Sequence, residues 1–176
     1  SMGIHQLSQI VAALGLPESV ISSSPEFKQE EIGFKGVTGT STGVSFIKYK
    51  NGSTISYTAT RGGHGNPYGF ASRWSGNWLF HGTKGDIKRN GGRLTLYKKG
   101  NIVKDYFLKD LDNNLYLDEL KQYEMFHKNL SGNNKFDMQK QSLESWLLME
   151  ACNISIKKDK KILLDDLIEE TGFKNI

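Results

Sequence analysis

A chain of 176 residues with 37% hydrophobic content is long enough to bury one core and fits a single folded domain, expected here over residues 4–176. No run approaches the ~18–20 apolar residues of a membrane span and no signal peptide opens the chain, so a soluble, intracellular protein with no membrane partner is expected. The single cysteine excludes an internal disulfide, and four histidines without metal-ligand spacing argue against a metal site; no cofactor is expected.

The first element, residues 4–15, places Leu7, Ile10, Val11 and Leu14 at helical spacing, and Gly15-Leu16-Pro17 stops it. A polar connection follows. From Gly33 the period changes to two, in short aromatic or β-branched runs: "GVSFIKYK", "STISYTATR", "NWLFHG", "GRLTLYKKG" and "IVKDYFL". Asn51-Gly52 between the first two favours a type I′ hairpin. Fifteen of the nineteen glycines lie between Gly33 and Gly100, so the strands of about 33–110 read as a barrel or sandwich. Beyond Asp110 the pattern is helical again over about 115–172. There Cys152, in "WLLMEACNI", reads as a small buried hydrophobe.

Charge is strongly segregated. Between Gly33 and Lys109 stand thirteen Lys or Arg against two acids, Asp86 and Asp105, a surplus of eleven; in a chain of net charge +4 the remainder is seven negative. Such a field attracts polyanions, and nucleic acid is the expected partner class. The same lysines would also serve simply to solvate strand faces and guard strand edges.

The stretch "RGGHGNPYGFASRWSGNWLFHG", residues 61–82, holds six glycines, two arginines, two histidines, five aromatics and no acid, and it reads as an exposed, shaped loop. If the strands on either side of Asn51-Gly52 pair, this loop and the hydroxyl-rich "FKGVTGTSTGVS" at 34–45 leave the same edge. Arg61, Asn66, Arg73, Thr38, Ser41 and Thr42 are of the types that reach base edges in a major groove, while Lys35 and Lys48, with Lys50, would anchor phosphates. Tyr68, beside Pro67 at the loop tip, is placed to meet a duplex, and His64 can donate to phosphates or bases.

Two catalytic readings compete. His64 and His81 supply the acid and base of a metal-independent ribonuclease toxin, with Lys84 or Lys88 beside them. Glu119 and Lys121, with Asp105 or Asp110 upstream as a possible partner, have the acid-x-lysine form of metal-dependent nucleases, but in a polar helical face they read as surface charge.

The series "TGTSTGVSFI", "SYTATRGGHGNPYGFASRWSG" and "KRNGGRLTLYKK" resembles the amino-terminal effector domain of EcoRII-type (type IIE) restriction endonucleases, over about residues 34–99. The resemblance implies a mainly β (α+β) fold, a B-three-like pseudobarrel with flanking amino- and carboxy-terminal helices. Thr38 to Ser45 would form one recognition arm, and Arg61 to Trp74 the other, closed by Ser72, Arg73 and Trp74. By that resemblance the chain is the non-catalytic, sequence-specific DNA-binding part of a bacterial, cytoplasmic restriction endonuclease. Its partners would be a CCWGG-like duplex and a nuclease domain on the full-length polypeptide.

Overall fold

A computed structural model describes residues 3–24, 42–60, 77–90, 93–107, 115–132 and 138–173. The chain is mixed α+β and divides into two compact units, Ser1–His64 with Met138–Ile176, and Gly65–Asp137.

The first unit is built round a four-stranded antiparallel sheet in the order β3-β2-β1-β8. Its strands are β1 (Ser19–Ser23), β2 (Thr42–Lys48), β3 (Thr54–Thr60) and β8 (Ile162–Leu163). Three helices accompany them: α1 (Gly3–Leu14), α3 (Met138–Lys158) and α4 (Leu164–Thr171). Alternation sorts the strand residues. Val20 faces Ile162 on one side and Ile47 on the other, and Ile47 faces Ile55. In the next inward row Ser22, Ser45 and Tyr57 lie abreast.

The helices supply the matching apolar groups. Leu7, Ile10 and Val11 of α1, Leu147, Leu148, Ala151 and Cys152 of α3, and Leu164 and Leu167 of α4 are all buried. Burial of each of the Leu, Ile and Val side chains among them contributes roughly 1.5–3 kcal/mol. Cys152 therefore takes the buried position expected of it. On the opposite face of the sheet Ile21, Val44 and Phe46 remain about half exposed.

Three sequence expectations change. The connection after α1 is not merely polar, because it contains β1, hydrogen-bonded between β2 and β8. Its serines disguise it: Ser19 and Ser22 are buried while Ile21 is exposed. The Asn51-Gly52 hairpin forms, but only Gly52 has positive φ, at 85°. The Gly52 amide donates to the Tyr49 carbonyl at 3.0 Å and the Tyr49 amide to Ser53 O at 2.9 Å. This is a three-residue loop with a left-handed glycine rather than a type I′ turn. Third, the strands do not form a B-three-like pseudobarrel. They form two separate sheets, and the first takes β1 and β8 from outside residues 33–110, so that the terminal helices are joined to its strands rather than flanking a barrel.

β1 meets a shortage of partners, since β8 pairs only with Ser19 and Val20. The Ser22 amide instead donates to Ser155 Oγ of α3 at 2.8 Å, and that hydroxyl donates to Lys160 O at 2.7 Å. Ser22 Oγ lies 2.7 Å from Ser45 Oγ, whose hydroxyl reaches Cys152 Sγ at 3.6 Å. Burial pushes the Cys152 thiol above its ordinary range, against weaker opposing hydrogen bonds from Ser45 and Ser22.

The second unit contains a four-stranded antiparallel meander, β4 (Asn77–Gly82), β5 (Gly85–Asn90), β6 (Arg93–Lys98) and β7 (Asn101–Phe107). Helix α2 (Leu115–Leu130) follows. β5 was not legible in "GDIKRN", whose charges mask its period. One face carries the apolar rows, with Trp78, Leu94 and Tyr106 aligned through Arg89, and Phe80, Ile87 and Leu96 aligned next to them. Trp78 and Phe80 stack at 5.9 Å. At the β4–β5 turn Gly85 has φ 150°, and a Cβ there would come 2.6 Å from the Tyr97 carbonyl, so only glycine fits. On the other face Arg93 Nε lies 3.1 Å from both Asp105 oxygens, and Thr95 donates to the same carboxylate at 3.0 Å.

No described helix is long and apolar enough to cross a membrane.

Two predictions follow from these contacts. Ser155→Ala strips buried partners from the Ser22 amide and the Lys160 carbonyl, and denaturant titration should show a loss of about 1–3 kcal/mol. Hydrogen bonding from Arg93, the largest influence, holds the Asp105 carboxyl below its ordinary range. Its contribution to stability is therefore complete at neutral pH and is lost as the pH falls through that lowered value. Arg93→Gln should return the Asp105 titration, followed by carboxyl-carbon NMR, upward toward the ordinary carboxylate range.

Candidate functional site

The clearest convergence of polar groups lies in the first unit, at the amino-terminal end of α1. The apolar stripe Leu7, Ile10, Val11 roots this helix in the core, which leaves His5, exposed, and Gln6, half-buried, on its opening turns. Two neighbours hold these turns from outside the helix. Tyr57 of β3 donates its hydroxyl to Gln6 Oε1 at 3.5 Å, and Gln141 of α3 donates from Nε2 to the Ser8 carbonyl at 3.2 Å. Within the turn, Ser8 Oγ donates to His5 O at 3.0 Å.

Burial pushes the Tyr57 phenol up to about 12, with the nearby Cys152 adding to the effect, so the hydroxyl stays protonated and can act as a donor throughout the physiological range. At the other end of α1, Tyr49 donates to the Gly15 carbonyl at 3.4 Å, and burial also raises its phenol to about 12. The result is an amide and a phenol joined between α1 and β3, with the exposed His5 preceding Gln6 on the same opening turn. Such groups can exchange a proton and hydrogen-bond hydroxyls without a permanent charge.

Two other polar groupings are less suited to chemistry. A shallow depression of about 460 Å³ is lined by Glu18, Lys50, Leu163, Asp165 and Asp166, and its lining includes the exposed Lys50–Asp165 ion pair at 2.9 Å. In the second unit His81 Nδ1 sits 3.1 Å from Asp86 Oδ1, directly across the β4–β5 hairpin and open to solvent. Among the described residues no three His, Cys, Asp or Glu side chains cluster as metal ligands would.

Most of the residues expected from the sequence to contact DNA lie outside the described residues: Lys35, Thr38, Ser41, Arg61, His64, Asn66, Tyr68, Ser72, Arg73 and Trp74. Thr42 and Lys48 are described, at the two ends of β2. Lys48 is exposed there, opposite Thr54 of β3 and Ser19 of β1. Of the proposed ribonuclease pair only His81 is described, and its partner is Asp86. Glu119 and Lys121 fall within α2, while Asp105 is engaged by Arg93 and Thr95. Sequence reading passed over His5, Gln6 and Tyr57. The available signal was a histidine and a glutamine on the opening turns of an amphipathic helix, where polar side chains ordinarily face water.

No protein-family model matches the sequence, and no curated protein matches it significantly. Solved structures do match in fold. An oxidoreductase from Agrobacterium radiobacter, solved in complex with NAD+, L-tartaric acid and magnesium, superposes with a TM-score of 0.73 at 16% identity, covering 95% of this chain and 49% of that one. An oxidoreductase from Thermotoga maritima gives 0.66 at 19% identity, with coverages of 94% and 43%. Levoglucosan dehydrogenase in complex with NADH and levoglucosan gives 0.67 at 15% identity, with coverages of 92% and 48%.

These matches overturn the resemblance to restriction-endonuclease effector domains. With it go the double-stranded DNA partner, the linked nuclease domain, the non-enzymatic role and the alternative of a ribonuclease toxin. The motifs behind that resemblance were short glycine- and threonine-rich strings, which hairpin turns and strand edges of many folds require. The chain has the fold of one part of these oxidoreductases and spans less than half of their length.

Proposed function

We propose that the chain is the substrate-side part of a nicotinamide-dependent oxidoreductase that interconverts an alcohol and a carbonyl on a polyhydroxylated compound. The observation that carries this reading is the fold match to oxidoreductases over more than nine-tenths of the chain. Two of those enzymes were solved in complex with a nicotinamide dinucleotide and a hydroxyl-bearing small molecule, NAD+ with L-tartaric acid in one and NADH with levoglucosan in the other.

The described residues do not fit the dinucleotide itself. A nicotinamide dinucleotide is held at the carboxyl ends of parallel strands, where a glycine-rich turn opens a helix. Every strand pairing among the described residues is antiparallel. The dinucleotide therefore belongs on a part of the enzyme other than these sheets.

What the chain contributes is the handling of the substrate and its proton. Oxidising a carbinol requires removal of the hydroxyl proton, and a histidine held on a rigid element is the usual acceptor. His5 meets that description, since α1 is anchored by three buried side chains. His81 is held by Asp86 on an exposed hairpin, and His127 lies exposed in the last turn of α2. Gln6, on the same turn as His5, and Tyr57, bonded to Gln6, supply neutral hydrogen-bonding groups suited to substrate hydroxyls.

The test is an assay of the full-length polypeptide with NAD+ and a panel of sugars, cyclic polyols and hydroxy acids, following NADH absorbance. Turnover of a member of that panel is expected, with His5→Ala lowering kcat by about 10²–10⁴-fold. Residues 1–176 alone should leave NADH fluorescence unchanged. Tight NADH binding by this chain alone would overturn the division of labour, and an unaltered kcat in His5→Ala would remove His5 from the chemistry.

A further inference from the structure

We infer that Tyr57 and Gln141 are positioning residues that hold the opening turns of α1, and with them His5, against β3 and α3; this rests on the role proposed for His5. The first turn of a helix lacks partners on its amino-terminal side and is the part most prone to open. In this chain that turn carries the candidate proton acceptor, so opening it would carry His5 away from a bound substrate.

Two bonds from outside the helix oppose the opening. The Tyr57 hydroxyl reaches Gln6 Oε1, one residue beyond His5, from the edge strand of the sheet. The Gln141 amide reaches the Ser8 carbonyl from the opening turn of α3. Both anchors stand on firm ground. Tyr57 lies in the row with the buried Ser22 and Ser45, and α3 is buried further along at Ser145, Leu147 and Leu148. Protonated throughout the physiological range, the phenol keeps its donor role as conditions change. Tyr49 fixes the far end through the Gly15 carbonyl, so strands β2 and β3 and their hairpin hold α1 at both ends. The apolar stripe sets which face is buried and the left-handed Gly15 ends the helix, whereas these directional bonds tie its two ends to the strands and to α3.

The test pairs Tyr57→Phe, which removes only the hydroxyl, with Gln141→Ala. Hydrogen exchange of the Leu7 and Ser8 amides should accelerate about 10-fold in each variant, while amides of Val20 and Ile47 stay protected as controls on folding. In the full-length enzyme kcat should fall about 10-fold with KM for substrate unchanged, because a misplaced proton acceptor slows the reaction step rather than binding. Gln141→Asn, which keeps a shorter donor, should recover part of the loss, as a purely structural role would not require. Unchanged exchange at Leu7 and Ser8 overturns the inference, as does accelerated exchange with wild-type kcat. If the wild-type polypeptide oxidises none of the alcohols, the oxidoreductase reading fails, while faster exchange in both variants would still establish the two bonds as the anchors of the turn.

Discussion

The first unit depends on satisfying β1. A strand in the interior of a sheet must find a partner for every backbone donor and acceptor, because an unpaired buried group costs about as much as a whole net hydrogen bond contributes, and often more. β2 accompanies β1 along its full length, but β8 accompanies only its first two residues. Ser155 replaces the absent strand at Ser22, and by also bonding Lys160 it fastens the turn that delivers β8. One hydroxyl thus joins helix, strand and turn. The row of Ser22, Ser45 and Cys152 extends that polar seam beneath α3 without burying a formal charge, because burial keeps the thiol protonated.

From that seam the placement of the candidate site follows. α3 packs on β1 and α1 packs on α3. With its register set by the apolar stripe and its ends tied by Tyr49, Tyr57 and Gln141, α1 delivers His5 to the margin of the layer where β3 is the edge strand. His5 is exposed there, while the turn that carries it is tied to packed elements through Tyr57 and Gln141.

The basic surplus that pointed toward nucleic acid has a local explanation in part of the second unit. Arg93 is consumed by Asp105 across β6 and β7, and Lys104 lies over the Tyr106 ring at 4.8 Å. Lys84, Lys98 and Lys99 are exposed at the two hairpin ends, where charge solvates a turn and discourages edge pairing. Net charge counts these residues as a field. The sheet uses several of them singly, each for its own strand.

The sequence by itself determined the mixed class, the presence of an opening helix, found at Gly3–Leu14, the strand pair joined at Asn51-Gly52, the mainly helical carboxy-terminal part and the buried state of Cys152. Each of these is a local consequence of periodicity, turn chemistry or residue size, readable within a dozen positions. Only the tertiary structure decided that "SVISS" is an inner strand, since buried serines acquire partners from residues more than a hundred positions away, and the pattern of apolar residues alone does not reveal them. It likewise decided that "GDIKRN" is a strand, because its pairing on both sides outweighs its polarity. The bond between Gln6 and Tyr57 was decided by the same route. A helix and a strand fifty residues apart meet through packing, and no spacing in the chain encodes that meeting.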